Sequence, residues 1–316
     1  MARFARVSVV AYAACAGGPN WIERTRDSII AHLREAGRAK PDLVVFPEGL
    51  NCRGHTRELW WEIAEPIPGP TFTAVAEVAA ELGCYVVLPL IERAGTHLRN
   101  TAAFIGRDGG LVGKVHKVMP TIGELEFGVL PGTEAPAFAL DFGRVGAAIC
   151  FDIHYDHVGR MLSDSGCELV CFVAQTRGGD RLLHWARDYG YYIATSYPEM
   201  SYVVDMAGRY LGEVGYEHNQ VRAGLLPPIY STVINLDRRL FHLAYNQDKF
   251  PEIIKKYGPG VEIESHYPEA HFTLASLMED VTVADLVAEF ELEPWVDYLN
   301  RCRGLREAYL EGVHEE

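Results

Sequence analysis

No cluster of lysines and arginines breaks the 316 residues of this chain, whose formal charge is −14. A nucleic-acid backbone or an anionic membrane rewards clustered positive charge, so neither is expected as a partner. No apolar run approaches the ~18 residues of a membrane span. The glycine-rich stretches AGGPN (16–20) and RGGD (177–180) lack the spacing and following Lys-Ser/Thr of a phosphate loop, and read as turns. Seven cysteines, an odd number without regular spacing, make no disulfide framework and suit a reducing compartment, so a cytoplasmic location is expected. Cys167 and Cys171 have no second cysteine pair or nearby histidine, which argues against zinc. With Cys15, Cys52, Cys84 and Cys302 they are expected to be packing residues. There is no internal repeat and no low-complexity tract.

What the chain does contain is an alternation of strand and helix signals. Arg3 and Arg6 followed by VSVVAYAACAGG resemble a signal peptide, but a helix and a second apolar strand follow at βαβ spacing, so a buried first strand over Val7–Tyr12 is preferred. Asn20 as cap, Ile22, Ile29, Ile30 and Leu33 at helical spacing and Gly37 as stop predict the helix. Asp42–Phe46 is the next strand, and Glu48 emerges at its carboxyl end, where ligands of α/β sheets usually sit. A helix over Thr71–Leu82 and the strand CYVVLPLIE repeat the unit, and RDGG between TAAFIG and LVGKVHK is a hairpin signal. Strands are expected at Arg144–Phe151 and Glu168–Val173, with an amphipathic stretch near Val158–Leu162 between them. Past Asp237 no βαβ unit is legible, while Pro294 opens a helix carrying Trp295, Leu299, Cys302, Leu305 and Tyr309 on one stripe. The expected division is an α/β domain over residues 1–236 and a partly helical extension, 237–316, packed on the body or on a second subunit.

Three segments each place a reactive side chain just past an apolar strand: FPEG with Glu48, GKVHKVMPTIGE with Lys117 and Glu124, and AAICFD with Cys150. A thiol with its ordinary pKa near 8.5 is mostly protonated at neutral pH, and a neighbouring carboxylate activates it by taking the proton. Glu48 suits that role. A cationic Lys117 and the Phe151 backbone N–H would meet the oxyanion of a tetrahedral intermediate. Lys114 competes with Lys117, and Glu126 with Glu124, on spacing alone.

In this order, FPEG, K-V-M-P-T-x-x-E and G-x-x-I-C-F-D resemble the nitrilase (carbon-nitrogen hydrolase) superfamily. RNTAAFIGRDGGLVGK, PGTE and SYVVDMAGRYLGEVG extend the resemblance over roughly residues 1–235. It implies a four-layer αββα sandwich, homodimers or larger homo-oligomers, no metal or organic cofactor, and a small-molecule amide or nitrile as substrate. By motif position Glu48 is the general base, Lys117 the oxyanion-stabilising cation, Cys150 the nucleophile and Glu124 an auxiliary carboxylate. Phe151, His154 and Trp185 are expected to border the substrate, His154 and Asp156-His157 standing where many relatives carry an Arg and a Pro-Glu pair.

The signals on reaction type divide. KVMPTIGE is similar to true nitrilases, whereas Phe151-Asp152 after the cysteine is similar to amidases and carbamoylases, so amide hydrolysis ranks first and nitrile hydrolysis second. A rival of another class uses Asp152, His154, Asp156 and His157 as ligands of a divalent metal. A third reading is a non-catalytic binding protein on the same fold, which would be expected to have lost one of the four site residues.

Overall fold

A computed structural model describes residues 3–12 and 18–313. Five strands come first: β1 (Phe4–Val10), β2 (Leu43–Val45), β3 (Tyr85–Ala94), β4 (His97–Ile105) and β5 (Leu111–His116). Six follow: β6 (Ala137–Ala139), β7 (Arg144–Ile149), β8 (Leu169–Val173), β9 (Tyr192–Ser196), β10 (Met200–Val204) and β11 (Tyr210–Gly215). β12 (Ile229–Asn235) then returns to β1, giving two six-stranded sheets of order β12-β1-β2-β3-β4-β5 and β11-β10-β9-β8-β7-β6. In the first sheet β1, β2 and β3 run parallel and β4 and β5 antiparallel; in the second β7, β8 and β9 run parallel and β10 and β11 antiparallel. The two halves therefore share a topology although the sequence shows no repeat.

Continuous apolar runs make sense in this frame, because each parallel strand is buried on both faces. Leu43 and Val45 enter the core between the sheets, while Val44 turns to the helices Trp21–Gly37 and Pro70–Leu82 on the outer face. Leu169, Cys171 and Val173 likewise face the inter-sheet core, and Val170 and Phe172 face the helices Asp156–Asp164 and Asp180–Tyr189. The layers are helix, sheet, sheet, helix, as expected for an αββα sandwich.

Local expectations fared unevenly. Asn20 precedes the first helix in the left-handed region (φ 55°) and makes no side-chain cap. Gly37 is the last helical residue rather than a stop, and a Cβ there would lie 2.7 Å from Leu82, so close helix packing explains it. The strand ending at the nucleophile motif stops at Ile149, and Cys150–His154 is a 3₁₀ turn.

Beyond Asp237 the chain is more ordered than its sequence suggested. β13 (Arg238–His242), β14 (Val261–His266) and β15 (His271–Ser276) form an antiparallel sheet of order β13-β15-β14 with its own apolar core. The last helix, Trp295–Val313, starts against this sheet through Trp295, but residues 301–312 are all exposed. The outer part of its stripe is thus uncovered among the described residues, Leu305 being 49% and Tyr309 75% exposed. Among the described residues, no helix is long and apolar enough to cross a membrane.

Candidate active site

Glu48 follows β2 on a segment held against β3, where Phe46 N–H donates to Val87 O (3.2 Å) and Leu50 N–H to Pro89 O (3.0 Å). The Asn51 side chain donates to Ile91 O and accepts from Ile91 N–H, at 2.9 and 2.8 Å, and fixes the loop. Lys117 continues the hairpin: its N–H donates to Asn100 O (2.9 Å) and its carbonyl accepts from Gly132 (2.8 Å). Gly132 is required there, since a Cβ would sit 2.4 Å from His116 O. Glu124 lies in the short helix Ile122–Glu126 and closes a capping box with Thr121, whose N–H (2.7 Å) and hydroxyl (2.9 Å) donate to Glu124 Oε2.

These segments converge. Lys117 Nζ donates to Glu48 Oε1 at 2.9 Å and to Glu124 Oε2 at 2.8 Å, with all three side chains buried. Asn100 Nδ2 bridges the same carboxylates, 2.8 Å from Glu48 Oε1 and 2.9 Å from Glu124 Oε1. Lys114 instead pairs with Glu92 at 2.6 Å, and Glu126 is exposed, so the geometry separates each competitor from the site. An ammonium has three N–H donors and only two are used here.

Cys150 comes from the other sheet, directly after β7, with a positive φ of 50°, a strained conformation for a side chain with a Cβ. Asp152 holds this turn by accepting Ile149 N–H (2.9 Å) and Met119 N–H (2.7 Å), which ties it to the segment after Lys117. Burial and then the Glu48 carboxylate push the Cys150 thiol up to about 12, against Lys117 and the Gln175 backbone N–H, so the thiol rests protonated facing Glu48. Glu48 Oε2 has no hydrogen-bond partner among the described residues. Burial lowers the Lys117 pKa, but Glu48 and Glu124 outweigh it and hold the ammonium charged. Burial raises Glu124, yet Lys117, Thr121 and Asn100 carry it below the usual carboxylate range.

A cavity of about 380 Å³ opens over these groups, lined by Glu48, Asn100, Lys117, Glu124, Cys150 and Gln175 and by Arg53, His55, Arg57 and Trp60. A larger groove of about 640 Å³ runs between the sheet edge at Arg144 and the last helix, and holds none of the four candidates. Phe151, His154 and Trp185 are not among the side chains that line the Cys150 cavity. Trp185 is 2% exposed in the core of the second helical layer, and His154 is exposed with its ring 5.1 Å from Phe151. The proposed metal ligands fail for a related reason: Asp152 spends both oxygens on backbone N–H groups, and among the described residues no three His, Cys, Asp or Glu are placed to hold an ion. Of the other cysteines, Cys52 lines the cavity, Cys84, Cys167 and Cys171 are buried, Cys302 is exposed, and Cys15 lies outside the described residues. Sequence reasoning missed Asn100, Gln175 and the arginines.

The chain is similar to proteins of known kind. It is 28% identical over 246 residues to omega-amidase NIT2 of Xenopus tropicalis, covering 69% of this chain and 84% of that protein. Nitrilase blr3397 of Bradyrhizobium diazoefficiens is 33% identical over 160 residues, 45% of this chain and 50% of the nitrilase. The fold superposes on an amidase of the nitrilase superfamily from Nesterenkonia (TM-score 0.63, 17% identity, 80% and 97% of the chains). It does so equally on Saccharomyces cerevisiae Nit3 (TM-score 0.63, 16% identity, 74% and 90%). Residues 10–221 match the family model described as carbon-nitrogen hydrolase, and with a match of that length the chain belongs to the carbon-nitrogen hydrolase family of enzymes.

Proposed function

We propose that this enzyme hydrolyses a small-molecule amide through a thioester on Cys150. The observation that carries the reading is the buried Glu48–Lys117–Glu124 array facing a protonated thiol at the floor of one cavity. Glu48 takes the thiol proton as sulfur attacks the carbonyl carbon, and the oxyanion meets the third N–H of Lys117 and the Phe151 backbone N–H. The C–N bond breaks as Glu48 returns the proton to the leaving nitrogen. Water then attacks the thioester, Glu48 accepts its proton, and the acid leaves as the thiol re-forms. A base beside the thiol matters because burial opposes a resting thiolate. Loss of one oxyanion donor typically costs ~3 to 4 kcal/mol, so Lys117→Met should slow kcat by about 10² or more.

Amides rank above nitriles because Phe151-Asp152 follows the nucleophile, and both kinds of activity are named among the relatives. The test is a panel of amides, carbamoyl-amines and nitriles scored for ammonia and carboxylate release. Cys150→Ala should abolish turnover on the preferred compound. Residual turnover by that variant refutes the thioester, and nitrile preference reverses the ranking.

A further inference from the structure

Gln175 touches both members of the proposed catalytic pair. It follows β8 by two residues, on a stretch that Ala174 N–H fixes by donating to Ser196 O (3.0 Å). Its backbone N–H faces the Cys150 thiol and opposes the rise in pKa that burial imposes there. Its side-chain Nε2 donates to Glu48 O at 2.5 Å, reaching from the second sheet to the segment behind β2. Glu48 is thus held twice: Lys117 and Asn100 hold Oε1 of its side chain, and Gln175 holds its backbone. Those bonds leave Oε2 over, the oxygen that remains for the thiol proton.

Arg53 completes the arrangement. Its guanidinium donates to Gln175 Oε1, and its side chain is 17% exposed, with Glu199 at 3.5 Å as a partner that is itself 56% exposed. A guanidinium has donors only, and a backbone carbonyl only accepts. An amide between them satisfies both in one orientation alone, oxygen to Arg53 and nitrogen to Glu48 O. Turned over, it would set donor against donor and acceptor against acceptor. The loop is shaped for this contact: Gly49, at φ 60°, turns the chain directly after Glu48, and Cys52 N–H donates to Gly49 O (3.1 Å), which brings Arg53 back toward Gln175.

We infer that Gln175 and Arg53 are positioning residues for the Cys150–Glu48 pair: Gln175 sets where the base stands relative to the sulfur, and Arg53 acts through Gln175 by fixing which way its amide faces. This rests on the reading of Cys150 as nucleophile and Glu48 as base. Both side chains line the cavity, so contact with substrate is the competing role. The two roles part in the kinetics. A misplacement of about 1 Å between sulfur and base slows the chemical step, whereas a lost substrate contact weakens binding.

The wild type, Arg53→Met, Gln175→Met, the double variant, Gln175→Glu and Cys150→Ala are assayed on the amide of the panel that the wild type turns over fastest. Gln175→Met should lower kcat about 30-fold with KM within about twofold, and Arg53→Met should lower it about 10-fold. The double variant should lose no more than Gln175→Met alone, because residues that act as one unit are not additive. Gln175→Glu keeps the acceptor for Arg53 but cannot donate to Glu48 O while ionised, so it should lose kcat as Gln175→Met does, and it carries the test if the apolar variant does not fold. Alkylation by iodoacetamide, followed on the Cys150 peptide by mass spectrometry, should slow in step with kcat, since it needs the same proton removed. A KM rise with kcat kept overturns the positioning role. So do losses that add in the double variant, a Gln175→Glu enzyme as fast as the wild type, or alkylation that keeps its rate. Turnover in Cys150→Ala overturns the nucleophile instead, so the two failures are distinct.

Discussion

Asn100 shows what one side chain contributes where two carboxylates are buried side by side. Its amide donates to Glu48 and to Glu124, adding a second shared donor to the Lys117 ammonium. Hydrogen bonds to charged groups are worth ~1.5 to 3 kcal/mol each. Asn100→Leu should therefore lower kcat about 10- to 100-fold. Because the Asn100 bond helps hold Glu124 below the usual carboxylate range, its loss raises that pKa, and the acid limb of the pH–rate profile should move to higher pH. An acid limb that stays in place would show that Asn100 does not tune Glu124. Much at this scale was readable: Glu48 and Cys150 follow apolar strands and the structure brings them to one cavity. Lys117 was not separable from Lys114 by strand alternation, since the choice depends on which lysine reaches across to Glu48. Glu124 was separable from Glu126 by a signal left unused, the T-x-x-E capping box of Thr121 and Glu124. Asn100 was invisible because a lone polar residue inside a strand reads only as a weak strand former.

Among elements, β13 and β15 carry the clearest consequence of burial. His271 on β15 lies opposite His242 in the register, with the Trp295 ring 4.3 Å away, and Glu269, His266 and Arg187 close by. Burial first, then His242, pulls the His271 pKa down to about 4, with Glu269 opposing. The unfolded chain binds this proton below its ordinary pKa near 6.5 while the folded chain refuses it. The stability that neutral His271 brings is therefore complete above about pH 6.5 and declines as pH falls toward about 4. Roughly 3 kcal/mol is at stake. His271→Gln should narrow the difference between urea midpoints at pH 7.5 and pH 4.5; a variant as acid-sensitive as the wild type would refute this. None of this sheet was foreseen. Its strands are short, and the half-exposed VEIESH offers no apolar run, whereas the helix after Pro294 announced itself by its stripe.

For the molecule as a whole, we propose that the outer half of the last helix rests on a second copy of the chain. Leu305, Tyr309 and Leu310 are exposed there, on a segment that is exposed throughout residues 301–312. Ending the chain at Asn300 should reduce the mass seen by light scattering while leaving the thermal midpoint of the body within a few degrees. An unchanged mass would refute the contact. At this scale the sandwich was legible because alternating βαβ signals with strands apolar on both faces leave few topologies open. The likeness of its two halves was not, since pairing sense repeats without the residues repeating.

The two partners of the proposed reaction are mounted on opposite sheets, Cys150 behind β7 and Glu48 behind β2. Their separation is thus a distance between two slabs, set by the thickness of the apolar filling of Val45, Ala147, Ile149 and Val173. Gln175 bolts the slabs at the rim, giving one hydrogen bond to Glu48 O at 2.5 Å and taking one from Arg53. Filler residues that never meet a ligand therefore gauge the opening of the vice, and a methyl group added there would register in turnover as misalignment well before the fold itself gave way.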